Sequence, residues 1–149
     1  MKEKKADDSI HLDTIIHAPI QAVWNAWTHP GLILQWFGSD PNGVGISAHV
    51  DLRPGGSFEI SFRGSEGIAH TCFGVYKEVA AFSRLIFSWE WKSEPGVESR
   101  VTVLLTPEGD HTLMQFEHAH VGSKSAHNYK AGWRDTFVKL ERVLNTKET

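Results

Sequence analysis

Histidines are the residues with the most obvious capacity for chemistry in this chain, which has nine of them among 149 residues. His118 and His120 are two positions apart, so a β-strand would place both imidazoles on one side, and His70 or His49 would have to supply a third ligand. Zinc needs three or four ligands within about 2.0 to 2.3 Å, and no HExxH segment or suitably spaced acidic residue accompanies these histidines. We therefore predict that the protein holds no metal.

Acidic residues in strand-like segments are the second candidates for chemistry. Asp51, Glu59, Glu78 and Glu90 alternate with apolar neighbours, which favours side chains that face solvent and form surface pairs. Asp51 or Glu78 would act as a base only if it faced inward, and acid–base catalysis needs two groups that converge on one substrate. The chain also has no G-x-S-x-G elbow, Walker loop or dinucleotide fingerprint. The sequence therefore assigns no catalytic residue and no cofactor.

Composition and charge exclude several classes of partner. The formal net charge is −3 and the basic residues are scattered, which argues against nucleic acid as a partner. There is no run of about 18 apolar residues and no apolar segment of a signal peptide, so we expect no membrane association and predict a cytoplasmic location. The single cysteine, Cys72, has no second cysteine with which to pair and fits a small apolar strand position.

The elements that must position these residues begin with a strand over residues 10–17. Pro19 favours a helix start, and Ile20, Val23, Trp24 and Trp27 recur at helical spacing, so a helix is predicted over 19–28. Pro30 ends that helix, and a second short helix follows at 31–37. One domain over residues 9–146 is expected, with tails at 1–8 and 147–149.

Between residues 43 and 120 the apolar pattern has a period of two, which predicts an antiparallel meander. Turn residues interrupt it at 54–56, 64–67, 95–96 and 107–110. The segment 68–79 has two mixed faces, and its orientation stays open. Elsewhere the apolar rows share one face of the sheet: Phe58, Ile60 and Phe62; Leu85, Phe87, Trp89 and Trp91; Val101, Val103 and Leu105; Met114, Phe116 and His118.

The last element is a long amphipathic helix predicted over residues 123–145. Its apolar stripe has spacings of three and four, as in Ala126, Tyr129, Trp133, Phe137, Leu140 and Leu144. At 1.5 Å per residue the helix is about 34 Å long, which is enough to cross a small domain. A curved antiparallel sheet wrapped around this helix, with two short helices after the first strand, is an α+β helix-grip fold.

A resemblance to a known family rests on residues spread over about 10–144. These residues are Pro19, Ala26, Trp27, Thr28, Pro30, Trp36, Phe37, Gly38, Asp51, Arg53, Gly55, Gly56, Gly74, Glu78, Arg84, Leu85, Trp89, Met114, Phe116, His118, Gly132, Trp133 and Leu140. In the order and spacing of these residues the chain resembles the START-like, birch-pollen-allergen-like superfamily and, within it, the C-terminal domain of the heat-shock-protein-90 ATPase activator.

The resemblance implies an apolar cavity between the long helix and the concave sheet face, open near the short helices. His118 would be a polar contact in that cavity, but a hydrogen-bonded structural histidine or a partly exposed one is the favoured interpretation. Each aromatic candidate fits a tightly packed core equally well. The candidates for the wall are Trp24, Trp36, Phe58, Phe62, Trp89, Trp91, Met114, Phe116, Tyr129 and Trp133.

Three functions are compatible with the resemblance. The leading one is binding of a small hydrophobic or aromatic molecule, by a monomer or a homodimer. The first alternative is a cofactorless enzyme of polyketide-cyclase type, in which a histidine or a carboxylate transfers protons. The second is regulation of the chaperone ATPase in the stress response. It ranks last because the family's activators carry an additional N-terminal domain, whereas eight residues precede the first strand assigned here.

Overall fold

The computed structural model describes residues 9–121 and 123–145, with side chains from Asn128 onward in the second range. The tails expected at 1–8 and 147–149 and the side chain of Ala126 lie outside the described residues. The described elements, in chain order, are β1 (Ser9–Ile16), α1 (Ile20–Thr28), α2 (Pro30–Trp36), β2 (Val44–Val50), β3 (Ser57–Arg63), β4 (Ala69–Ala80), β5 (Arg84–Trp91), β6 (Ser99–Glu108), β7 (His111–Ala119) and α3 (Ser123–Leu144).

The strands form one sheet in the order β1-β7-β6-β5-β4-β3-β2. Every neighbouring pair is antiparallel. Because β1 and β2 lie at opposite edges, α1 and α2 carry the chain across the sheet, and α3 packs against both helices and β1. The curved sheet around a long C-terminal helix confirms the predicted α+β helix-grip fold.

Prolines set the limits of the two short helices, as the sequence predicts. Pro19 is extended immediately before α1, and Pro30 occupies the first turn of α2, where the missing amide hydrogen costs no hydrogen bond. Between them His29 is extended and caps both helices. The helices bury Val23, Trp24, Ala26, Trp27, Thr28, Ile33 and Trp36.

The structure settles the orientation of β4, which the sequence left open. Cys72, Gly74 and Tyr76 face the core. The sequence pattern of this face is not clearly apolar, because Cys72 and Gly74 are small. A Cβ atom at Gly74 would lie 1.9 Å from the Ser88 carbonyl oxygen, so no larger residue fits there without movement. Burial also raises the pKa of the Cys72 thiol, which keeps it protonated.

Strand β6 runs further than the turn signal at 107–110 predicts. It continues to Glu108, and Pro107 pairs with Thr112 of β7. The proline is tolerated because β5 begins at Arg84, opposite Leu104, and does not extend alongside Pro107. The position is therefore a local sheet edge, where a missing amide hydrogen removes no ladder bond.

Trp27 lies at the centre of the core. Its ring centroid is 4.9 Å from that of Trp36 and 6.2 Å from those of Phe116 and Phe137. The indole N–H donates to Met114 Sδ at 3.4 Å, and that of Trp36 donates to the Ala26 carbonyl oxygen at 2.9 Å. This part of the interior is filled, and its indole groups have partners.

Candidate functional site

A pocket of about 380 Å³ opens between α3 and the sheet, beside the loop that follows α2. Strands β3, β4 and β5 form one wall, α3 forms the opposite wall, and residues 37–39 close one side. The lining residues are Phe37, Gly38, Ser39, Phe62, His70, Trp89, Trp91, Asn128, Tyr129, Gly132, Trp133 and Thr136.

Aromatic rings form most of the pocket wall. Trp89 is central, with ring centroids 5.3 Å from Trp91, 5.3 Å from Trp133 and 6.0 Å from Phe37. Phe62 lies 6.0 Å from Trp91 and continues the wall towards β3. Such rigid, flat surfaces suit a flat apolar molecule, because little side-chain entropy is lost when one is bound.

Two hydrogen-bond donors lie close together beside the pocket. The Tyr129 hydroxyl accepts a hydrogen bond from Trp91 Nε1 at 2.8 Å, which leaves its own proton free to donate. The Trp89 N–H has almost no accessible surface and lies close enough to that hydroxyl to lower its pKa, although it makes no hydrogen bond of normal geometry with the described residues. Burial raises the pKa of Tyr129 by more than the two indole N–H groups lower it, so the phenol stays neutral.

His118 is fully buried behind the pocket, and both of its ring nitrogens are engaged. Trp133 Nε1 donates to Nδ1 at 3.0 Å, so Nε2 carries the proton and donates to Ser99 Oγ at 2.7 Å. The Ser99 hydroxyl in turn donates to the Trp89 carbonyl oxygen at 3.3 Å. Burial lowers the pKa of His118 to about 3, so the ring is neutral and orients the helix against the sheet.

A buried lysine anchors the loop beside the pocket. Lys139 Nζ donates to the carbonyl oxygens of Phe37 at 3.4 Å, Gly38 at 3.2 Å and Asp40 at 3.0 Å. Burial lowers its pKa, an effect that the Asp40 carboxylate partly offsets. Gly38, at φ +97°, is held so close to Phe62 that a Cβ atom would lie 2.9 Å from its ring.

A second, more polar depression of about 270 Å³ adjoins the pocket. Its polar lining includes Asp40, Arg63, Glu66 and Lys139. The Asp40 carboxylate accepts hydrogen bonds from the Ser65 amide and hydroxyl, and these bonds hold its pKa below the usual range. The Asp40 carboxylate in this depression therefore links the loop to the β3–β4 turn.

The acidic residues considered as bases lie at the surface. Asp51 pairs with Arg53 at 3.0 Å, Glu78 with Arg84 at 3.0 Å, and Glu59 with Lys92 at 3.6 Å. Glu90 accepts a hydrogen bond from the Gly96 amide at 2.6 Å. Among the described side chains, those of residues 9–121 and 128–145, no group of three or more potential ligands is placed to hold a metal ion.

Five of the eleven residues predicted for the cavity line the pocket: Phe62, Trp89, Trp91, Tyr129 and Trp133. The other six lie outside its lining. Trp24 packs near Phe82, and Phe58 packs against Tyr76 and Phe87. Trp36, Met114, Phe116 and His118 are among the most deeply buried side chains. The candidates at the centre of the sheet thus fill the core, and those near one end line the opening.

Seven lining residues were missed by sequence reasoning: Phe37, Gly38, Ser39, His70, Asn128, Gly132 and Thr136. Gly132 and Thr136 follow Asn128 at intervals of four, so they form a helix face beside the apolar stripe. That face was overlooked because glycine, threonine and asparagine add little hydrophobicity. Phe37 and Gly38 were visible in the family resemblance, but their place in the wall depends on the loop held by Lys139.

A curved antiparallel sheet that packs around the long helix α3 is the START-like fold, and the chain is therefore a START-like protein. The family model described as "Activator of Hsp90 ATPase homolog 1-like protein" matches residues 17–145, and the chain belongs to this family. No curated protein matches the chain at a significant level. None of the helices in the described ranges is long and apolar enough to cross a membrane.

Solved structures from other proteins share this fold. A protein from Nitrosomonas europaea is 24% identical with a TM-score of 0.82, over 97% of this chain and 99% of that one. An AHSA1-like protein from Aeromonas hydrophila is 25% identical with a TM-score of 0.76, over 90% of both chains. DynU16, a protein in the dynemicin biosynthetic locus, is 25% identical with a TM-score of 0.77, over 93% of this chain and 48% of its own.

Proposed function

We propose that this protein binds a small hydrophobic or aromatic molecule in the pocket between α3 and the sheet. The observation that carries the proposal is an open space of about 380 Å³ walled by the rings of Phe37, Phe62, Trp89, Trp91 and Trp133. Ligand sites commonly combine such apolar walls with a few polar groups and have volumes of about 300 to 1,000 Å³. The volume here favours a ligand of two or three fused rings.

The hydrogen-bonding pattern of the pocket supports binding. Buried indole N–H groups are normally hydrogen-bonded, whereas the Trp89 N–H lies close to the Tyr129 hydroxyl but makes no hydrogen bond of normal geometry with the described residues. The likeness to DynU16, from a biosynthetic locus, is consistent with a ligand of the natural-product type.

Tryptophan fluorescence tests the proposal, because three of the six tryptophans line the pocket. A panel of fused-ring aromatics, flavonoid-like compounds and fatty acids would be titrated into the protein, with native mass spectrometry to record stoichiometry. We expect one molecule to bind per chain with a dissociation constant below about 100 μM, or roughly −5.5 kcal/mol. Absence of binding across the whole panel would refute the proposal.

Gly132 provides a matched pair of variants for the same titration. A Cβ atom at this position would lie 3.8 Å from the Ser39 Cβ, so alanine fits, whereas a leucine side chain would extend into the pocket. We expect Gly132→Leu to weaken binding by about tenfold or more and Gly132→Ala to leave it nearly unchanged. Equal binding by both variants would place the ligand elsewhere.

A cyclase-type enzyme has less support. Its mechanism needs a histidine or a carboxylate at the ligand, but both nitrogens of His118 are engaged and the described residues of the pocket lining include no carboxylate. His70 lies at the rim, where its Nε2 is 3.6 Å from the Glu66 carboxylate. Turnover of a bound polyketide mimic that His70→Gln abolishes would revive the enzyme alternative.

Regulation of a chaperone ATPase is the function after which the family is named. We expect this chain alone to stimulate that ATPase weakly or not at all. A several-fold stimulation at stoichiometric protein would reverse this ranking.

A further inference from the structure

Three aromatic rings of the pocket lining are partly exposed. Phe62, Trp91 and Tyr129 are half-buried, so each keeps part of its ring surface open to a bound molecule. The plane of Trp91 is inclined by 64° to that of Phe62 and by 89° to that of Trp89, with ring centroids 6.0 and 5.3 Å apart. Rings at such steep angles form the walls of a cage rather than a stack. Aromatic cages bind ammonium groups through the negative potential of the ring faces.

Among the described residues, no cation of the chain lies over these rings. Their part of the pocket lining includes no lysine or arginine. The single cation–π contact in the described part of the chain, Lys92 over Phe73 at 5.8 Å, is on the opposite face of the sheet. Lys139 lies beside the pocket, but its ammonium donates to three carbonyl oxygens of the loop, and the Asp40 carboxylate partly offsets its charge. The ring faces are therefore available to a cation that a ligand supplies.

The charges around the pocket favour a cation over an anion. Burial raises the pKa of the Tyr129 hydroxyl, and the carboxylate of Glu94, in the loop between β5 and β6, adds to that rise by its negative potential. The adjoining depression has two acidic and two basic side chains in its described lining, so their charges balance. An ionised carboxylate in the pocket would lose its hydration without meeting a counter-charge among the described lining residues.

We infer that the pocket recognises an organic cation, in which a quaternary or tertiary ammonium group is attached to an apolar body. Alkyl groups on the nitrogen keep water from it, so such a group enters an apolar pocket at a lower cost than a primary ammonium group. The apolar body packs on the remaining rings of the wall. The inference rests on the proposed function and adds to it the charge by which the pocket selects its ligand.

Three probes of nearly the same shape separate charge from hydrophobicity. In the ammonium probe, nitrogen carries a naphthylmethyl group, a hydroxyethyl group and two methyl groups. The neutral probe has a carbon atom in place of that nitrogen, and the anionic probe has the same carbon atom with a carboxymethyl group in place of the hydroxyethyl group. Isothermal titration calorimetry would give the three dissociation constants. We expect the ammonium probe to bind about fivefold to tenfold more tightly than the neutral probe, and the anionic probe to bind least tightly.

Two substitutions of Trp91 separate the effect of its ring face from that of its hydrogen bond. Trp91→Leu and Trp91→Phe both remove the N–H group that donates to the Tyr129 hydroxyl, but only phenylalanine keeps an aromatic face. We expect Trp91→Leu to remove most of the ammonium probe's advantage over the neutral probe and Trp91→Phe to retain most of it. Equal loss of that advantage in both variants would show that the ring face is not its source and would overturn the inferred cage.

Glu94→Gln tests the contribution of charge without altering the pocket wall. Glu94 is exposed and lies outside the described lining, so the fold should not change. We expect the ammonium probe to bind about twofold to threefold more weakly and the neutral probe to bind as before. Glu108→Gln is the matched control, because Glu108 is an exposed glutamate at the other end of β6 from the Glu94 loop. Equal effects of the two substitutions on the ammonium probe would overturn the electrostatic part of the inference.

The outcomes distinguish this inference from the proposed function. Equal or tighter binding of the neutral probe would overturn the preference for a cation while leaving the pocket as a binding site. Tightest binding of the anionic probe would overturn that preference as well. Failure of all three probes and of the wider panel would overturn the proposed function too. If Trp91→Leu does not fold, the three probes with the unmodified protein and with Glu94→Gln still decide the matter.

Discussion

The two ends of the aromatic interior use the same residue types but differ in how they are packed. Around Trp27, the rings of Trp36, Phe116 and Phe137 are in contact, and the two indole N–H groups have partners. Around Trp89, the rings surround an open volume, and one indole N–H makes no hydrogen bond of normal geometry with the part of the chain that the structure describes. An aromatic row therefore becomes core or pocket according to what lies opposite it.

Small residues and a fixed loop account for the difference. Opposite Trp27 are large side chains of α3, whereas near Trp89 the helix presents Gly132 and the loop presents Gly38. The Lys139 ammonium holds that loop through three carbonyl oxygens, so the opening is supported by polar contacts instead of being filled by apolar ones. Trp133 touches both regions, because its ring contacts both Trp27 and Trp89.

The largest effect is expected for Trp133→Ala, which removes the ring shared by the two regions. The side chain is only 5% exposed, and its loss also leaves His118 Nδ1 without a donor. We expect the free energy of unfolding to fall by about 3–5 kcal/mol in chemical denaturation. A loss below about 1 kcal/mol would mean that the helix does not depend on this contact.

Trp91→Ala is the control for that comparison. Trp91 is half-buried and lines the open pocket, so water can enter the space left by its ring. We expect a loss of roughly 1–2 kcal/mol. If both variants were equally destabilised, the contrast between a filled core and an open pocket would have no energetic basis.

Much of the fold could be predicted because its signals are local. Pro19 and Pro30 mark the short helices, and the spacing of Tyr129, Trp133 and Phe137 marks the long one. The orientation of β4 could not be predicted, because it depends on Gly74 lying against the Ser88 carbonyl oxygen of a neighbouring strand. Such a contact joins residues far apart in sequence and leaves no periodic pattern.

The pocket was less predictable than the fold for a related reason. The apolar rows contained both Phe116 and Trp91, and nothing in their spacing says which faces an opening. The buried Lys139 lies off the apolar stripe of its helix and resembles a solvent-facing residue in sequence, yet it is only 7% exposed. Its burial follows from the loop carbonyls that surround it, which sequence alone cannot place.

The pH dependence of the free energy of unfolding tests the burial of His118, which accepts a hydrogen bond from the Trp133 ring shared by the two regions. The pKa of His118 is about 3 in the folded protein against a usual 6.5, so the unfolded chain binds the additional proton between these values. Stability due to this group is complete above pH 6.5, falls as the pH decreases and is lost by about pH 3. We expect a decrease of roughly 2 kcal/mol between about pH 6 and 4.5, from about 1.4 kcal/mol per pKa unit.

His118→Gln isolates this contribution, because glutamine does not titrate. The variant's free energy of unfolding, measured by denaturation at several pH values, should depend less on pH than that of the unmodified protein by the same roughly 2 kcal/mol. Parallel pH profiles for the two proteins would show that the histidine is not held neutral by burial.

The smallest effect is expected at Gly132, and Gly74, which lies against Ser88 and Phe58 in the sheet, provides a closely packed glycine for comparison. Gly132 lies in α3 beside the open pocket, where an added Cβ meets only the Ser39 Cβ at 3.8 Å. Alanine there should stabilise the helix by about 0.5–1 kcal/mol, because glycine has the greater backbone entropy to lose. Gly74→Ala should instead destabilise the protein, since its Cβ would lie 1.9 Å from the Ser88 carbonyl oxygen. If thermal unfolding showed a loss for both variants, the space beside Gly132 would be closed in solution, and the pocket could not admit a ligand without rearrangement.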